Sequence, residues 1–131
     1  MDNGALNIRH SLASSPDPLL TFNAALKERG HPLSMVIGNH ALKAMEQGQV
    51  NFRHQQLVHP QVRGLLQDSD LQSNIWRQAL ESTFKLKPSN ANYQESDLVE
   101  KIKESSLSLT LQPLCPSAVQ QRYAEVVFED F

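Results

Sequence analysis

Residues 71–86 read Leu71-Gln72-Ser73-Asn74-Ile75-Trp76-Arg77-Gln78-Ala79-Leu80-Glu81-Ser82-Thr83-Phe84-Lys85-Leu86. At the helical turn angle, Leu71, Ile75, Ala79 and Leu86 fall on one stripe, and Trp76, Leu80 and Phe84 on a second beside it. The two stripes span an apolar arc of roughly 220°, where a surface helix needs about 100°. The stretch therefore reads as the central helix of a small helical domain, or as a helix with one face reserved for a partner. Asp68-Ser69-Asp70 supplies its N-cap and places carboxylates at its positive end. Glu81 and Lys85 stand at i, i+4 in the favourable order, a contribution of about 0.3 kcal/mol.

Downstream, residues 87–92 are a loop by composition. A helix is expected over 96–104, with Leu98, Val99 and Ile102 inward. Residues 106–111, Ser-Leu-Ser-Leu-Thr-Leu, alternate strictly and predict a strand with Leu107, Leu109 and Leu111 facing the core. Its backbone needs a partner, and Val50 to Phe52 is the expected one. Pro116-Ser117, with Gln120 completing a capping box, opens a last helix lined by Val119, Tyr123, Val126 and Val127.

Upstream, Asp17-Pro18 predicts a helix start, Leu19, Phe22 and Leu26 its inner stripe, and Gly30 its stop. A second helix is expected over 34–47, capped by Ser34, buried through Ile37, Ala41 and Met45, and ended by Gly48. Pro60 predicts a short helix carrying Val62, Leu65 and Leu66. Residues 1–15 are polar and aperiodic, which predicts a flexible arm without the apolar block of a signal peptide. The sum is a mainly α fold: a single domain over 16–131, built as a small bundle of five or six helices with a minor two-stranded β element.

The chain has 131 residues, enough to bury a core without staples. Twelve Lys and Arg face fourteen Asp and Glu, and the net charge of -2 argues against nucleic-acid binding by bulk charge. No apolar run approaches a membrane span. The single cysteine, Cys115, has no disulfide partner within the chain. Its Leu-Cys-Pro setting shows no local base, so it reads as a small apolar residue near the core. The reducing environment this suits, together with the composition, suggests a bacterial cytoplasmic protein.

The histidines are His10, His31, His40, His54 and His59, and all five are read as surface or loop groups. His54 and His59 are five apart, about 140° on a helix, which makes no paired metal site. No nucleophile elbow or glycine-rich phosphate loop is present. Neither catalytic residues, nor a metal, nor a cofactor is therefore expected.

Two fragments resemble known patterns. Leu26, Gly30 and Val36 stand where a helix-turn-helix places an apolar residue, its turn glycine and a buried aliphatic. The resemblance implies DNA contacts from Ser34, Asn39 and Lys43. His40-Ala41-Leu42-Lys43-Ala44 resembles the phosphoacceptor segment of histidine phosphotransfer domains, with His40 as acceptor, although Ala44 stands where that family has a small glycine. The leading expectation is a non-enzymatic adaptor, chaperone-like or regulatory protein that binds a protein partner or a second copy through apolar helix surfaces. Trp76, Leu80 and Phe84 are its candidate contact residues. At the C-terminus Phe128 is expected in the core, and Phe131 is a further candidate for the partner surface. A DNA-binding regulator and a phosphotransfer module are the alternatives.

Overall fold

The computed structural model describes residues 1–86, 94–111 and 115–131; the loop expected over 87–92 lies outside them. Among the described residues the fold is mixed α/β, with four helices and eight strands in three sheets. The expected mainly helical bundle is not formed.

The residues expected to form a flexible arm supply β1 (Asp2–Asn3) and β2 (Asn7–His10). Together with β3 (Leu19–Phe22) they make an antiparallel sheet in the order β1-β2-β3. The helix expected from Asp17 to Gly30 is replaced by β3 and β4 (Ala25–Glu28). Thr21, Phe22, Ala24, Ala25 and Leu26 are all buried. Strands covered on both sides lose the alternation that marks a half-exposed strand, and the spacing of Leu19, Phe22 and Leu26 mimics a helix by coincidence.

The second expected helix is half strand. β5 (His31–Ile37) pairs with β4 across the Arg29-Gly30 turn, with Gly30 at φ +84°. β5 is an edge strand, where the missing N–H of Pro32 is tolerated. β6 (Gln55–Val58) completes this second sheet, in the order β5-β4-β6. Only from Gly38 does the chain turn helical, as α1 (Gly38–Glu46), and Gly48 at φ +66° follows its C-cap.

The short helix expected after Pro60 is a hairpin of β7 (Gln61–Val62) and β8 (Leu65–Leu66). Arg63 and Gly64 both hold positive φ, 53° and 79°, as a two-residue turn of this hand requires. The Gln61–Leu66 pair faces inward and the Val62–Leu65 pair outward.

α2 (Ser69–Thr83) is the central helix. Asp68 is its N-cap, with Oδ1 accepting from the Leu71 N–H at 2.9 Å. α3 (Glu95–Lys103) starts from a Gln94–Asp97 capping box. α4 (Ser117–Asp130) has Pro116 at its N-cap without the expected serine cap; Gln120 Nε2 instead donates to the Cys115 carbonyl at 2.7 Å. The expected strand over 106–111 is reduced to one parallel bridge, Thr110 with Asp2, beside which the Ser108 carbonyl accepts from the Met1 amino group. Its expected partner segment lies in turns, with Phe52 exposed.

The main apolar core joins Ile8, Ala25, Leu66, Leu71, Ile75, Trp76, Tyr123 and Val126, and a smaller one joins Phe22, Ala24, Leu26 and Ala41 under α1. A set of buried carboxamides runs beside the main core. Trp76 Nε1 donates to Asn3 Oδ1 at 3.1 Å, and Gln61 Nε2 donates to Gln72 Oε1 at 3.0 Å. Gln72 Nε2 donates to Asn23 Oδ1 at 3.2 Å, and Asn23 Nδ2 to the Gly4 carbonyl at 2.8 Å. Among the described residues no buried side-chain nitrogen or oxygen lacks a partner. An orphaned buried amide costs about 1–3 kcal/mol, so these carboxamides bind β1, the β3–β4 link, β7 and α2 into one arrangement.

Candidate functional site

The C-terminal half of α2 carries the apolar arc toward two different surroundings. Trp76 is buried in the core, stacked against Tyr123. One turn later Leu80 reaches the wall of an apolar cleft of about 140 Å³, where it is joined by Thr83 and Phe84. Ile102 and Leu107, at and just beyond the end of α3, form a second wall, and Val127 and Phe131 of α4 a third. Ser11, Leu12 and Ala13, which leave the end of β2, close the fourth side. None of the lining side chains is charged.

Three of the four residues expected at a partner surface, Leu80, Phe84 and Phe131, are thus brought together, while Trp76 lies beneath the surface as core. Phe131 is held from outside by Arg77, whose guanidinium carbon is 5.5 Å from the ring centroid and whose Nη2 donates to the Asp130 carbonyl at 3.4 Å. Phe128, expected in the core, is 85% exposed. It lies outside the Tyr123–Val126 line along which α4 meets the core. Leu107 is 44% exposed and Leu12 43%, so the cleft has a greasy mouth.

His10 stands behind this cleft. It was expected at the surface, but its ring is buried, with Nδ1 2.7 Å from Thr83 Oγ1 and Nε2 2.8 Å from Thr21 Oγ1. The Thr83 hydroxyl donates to the Ala79 carbonyl at 2.9 Å. Its oxygen must therefore accept from His10, which puts the ring hydrogen on Nδ1 and leaves Nε2 to accept from the Thr21 hydroxyl. Burial, with the Met1 amino group as a smaller cause, holds the His10 pKa below its ordinary value. Both ring nitrogens are engaged by threonine hydroxyls, so the neutral ring braces β2 against β3 and α2.

The other candidates are dispersed. Ser34 is exposed on β5, so the recognition helix expected to begin there is absent and the helix-turn-helix geometry is replaced by the β4–β5 hairpin. The Asn39 carboxamide lies along the edge of β3, with Oδ1 accepting from the Phe22 N–H at 2.9 Å and Nδ2 donating to the Leu20 carbonyl at 3.0 Å. Lys43 is exposed in the last turn of α1. His40, also exposed, receives the Gln78 amide at Nδ1, 3.2 Å away. His59 Nδ1 lies 3.1 Å from the Asn23 carbonyl. Among the described residues no three His, Cys, Asp or Glu side chains gather in a metal-binding group, and no helix is long and apolar enough to cross a membrane.

Leu80 and Phe84 are legible from the helical stripe. Leu12, Leu107 and His10 are not, because their convergence is made by the β2 connection and by the segment after α3. No protein-family model matches this sequence, and no curated protein matches it.

Proposed function

We propose that this chain is a non-enzymatic protein-interaction module whose cleft takes one large apolar side chain, leucine, methionine or phenylalanine, from a protein partner. The observation that carries this reading is the lining of the cleft by the apolar side chains of Leu80, Phe84, Leu107 and Phe131, in a structure whose described buried side-chain polar atoms are already satisfied. Such a site offers burial and little else. A dry cavity of about 150 Å³ holds one benzene, so this one fits a single anchor residue.

Burying that anchor contributes about 1.5–3 kcal/mol. A micromolar complex needs about 8 kcal/mol. The remainder has to come from contacts around the mouth, where Leu12 and Leu107 expose apolar surface.

A displayed peptide library panned against the full chain tests the reading. Selected peptides are expected to share one large apolar anchor. Leu107→Glu is expected to abolish their binding with only a small change in melting temperature, since Leu107 is 44% exposed. Selection of peptides with no apolar anchor, or binding indifferent to Leu107→Glu, would refute it.

A further inference from the structure

The cleft shares its wall with a buried titratable group. Ser11, Leu12 and Ala13 follow His10 directly in the chain, and Thr83, which accepts from His10, lies one residue before Phe84 on the opposite wall. The imidazole therefore ties the β2 side of the cleft to its α2 side, and through Thr21 to β3. We propose that His10 is an acid-operated latch on the cleft: the neutral ring holds the two walls together, and a proton on Nε2 releases them and discharges the bound side chain. This rests on the cleft being the binding site.

The chemistry of the latch follows from its two hydroxyl partners. In the neutral ring each hydrogen bond has one donor and one acceptor. A proton taken from solvent onto Nε2 makes both ring nitrogens donors. Thr83 still accepts. The Thr21 hydroxyl, fully buried, points its own hydrogen at the incoming one and has to turn away.

Among the described residues, no Asp or Glu lines the cavity that His10 shares with Met1, Leu80, Thr83, Ser106, Leu107 and Ser108. The one charge among them, the Met1 amino group, repels an imidazolium, and its hydrogens are directed to the Ser108 carbonyl at 2.6 Å. Asp17 and Lys85 line a separate cavity that also includes Thr83. On β2 itself, the Arg9 guanidinium lies 4.0 Å from Asp2, one residue along the strand from His10. A charged ring in this setting is better solvated outside.

The sign follows. The folded His10 pKa lies below the ordinary 6.5, so the unfolded or opened state binds the extra proton. The latch is closed above that ordinary value and opens as the pH falls through the folded value.

Histidine-resolved NMR of the full chain, titrated from neutral to acid with benzene as probe, tests this. At neutral pH the His10 nitrogen shifts are expected to show hydrogen on Nδ1 and none on Nε2. On acidification the His10 ring and the methyls of Leu12, Leu80 and Leu107 are expected to titrate with one shared midpoint below 6.5. Benzene affinity is expected to fall about tenfold per pH unit below that midpoint, the slope of one displaced proton. His10→Gln, which presents one donor and one acceptor at every pH, is expected to bind benzene with a flat profile.

An Nε2–H tautomer, a His10 that stays neutral until the chain unfolds, methyl and ring midpoints that differ, or a pH-dependent His10→Gln would each overturn the proposal. If His10→Gln does not fold, the coincidence of midpoints in the natural chain decides. Benzene that obeys the latch while no apolar peptide binds would leave the latch standing and sink the partner reading.

Discussion

The ring of Trp76 lies stacked on that of Tyr123, with centroids 5.9 Å apart and planes inclined by 24°, while the indole N–H is spoken for by Asn3 Oδ1 at 3.1 Å. Three distant parts of the chain, β1, α2 and α4, meet at this one aromatic pair.

Asn3→Ala removes the acceptor and leaves the indole N–H buried and unpaired. A loss of about 1–3 kcal/mol is expected by chemical denaturation. In a Trp76→Phe background the same substitution is expected to cost less, because phenylalanine has no N–H to orphan. A double-mutant cycle reads the difference as the coupling between the two residues.

Tyr123 carries its own pH signature. Burial, and then the nearby Cys115 thiolate, raise its pKa above 10.0, with a hydrogen bond to Asn3 opposing them. The raised value means that its contribution to stability is fully present below pH 10 and is lost as the pH rises through the folded value. Phenolate absorbance is expected to show one of the two tyrosines ionising late, and Tyr123→Phe is expected to remove the late component.

Gly38 starts α1 with φ +57°, and a Cβ placed there would collide with the Gln78 Oε1 atom. That oxygen accepts the Asn39 N–H at 3.1 Å. Gly38→Ala is expected to lower stability by more than about 1 kcal/mol, the usual cost of a left-handed alanine alone. Adding Gln78→Ala is expected to recover only the steric part, measurable as a partial rise in melting temperature.

α4 separates packing from exposure within a few residues. Val126→Ala, in the core, is expected to cost about 1.5–3 kcal/mol. Phe128→Ser, at an exposed position, is expected to stay within about 0.5 kcal/mol of the natural chain. Thermal unfolding of the two variants checks both.

The helices with local signals could be read directly. α2 announces itself through Asp68 and a wide apolar arc, and Gly48 marks the end of α1. The first sixty-odd residues resisted because their signals are tertiary. The end of β3 and the start of β4 are covered from both sides, so Thr21 and Phe22, or Ala24 and Ala25, are buried consecutively, while Leu19 and Leu20 are exposed consecutively, and no alternation survives. Arg63 takes a positive φ usually reserved for Gly or Asn, which hid the β7–β8 hairpin. The strict alternation at 106–111 misled in the other direction, because a strand needs a paired neighbour along its length and only Thr110 forms a bridge. Of the cleft, the part on α2 and Phe131 were visible in sequence. The latch residue was not, since nothing local distinguishes His10 from a loop histidine.

The parallel bridge between Asp2 and Thr110 is reinforced by the Met1 amino group on the Ser108 carbonyl, a contact between residues 107 apart in sequence. A loop of that length surrenders its freedom before the contact gives any return. β1 itself pairs locally with β2, so the long closure falls on the seam with residues 108–110 and not on the strand. Opening of β1 would release the indole proton of Trp76 from Asn3, and hydrogen exchange at that proton is expected to report it.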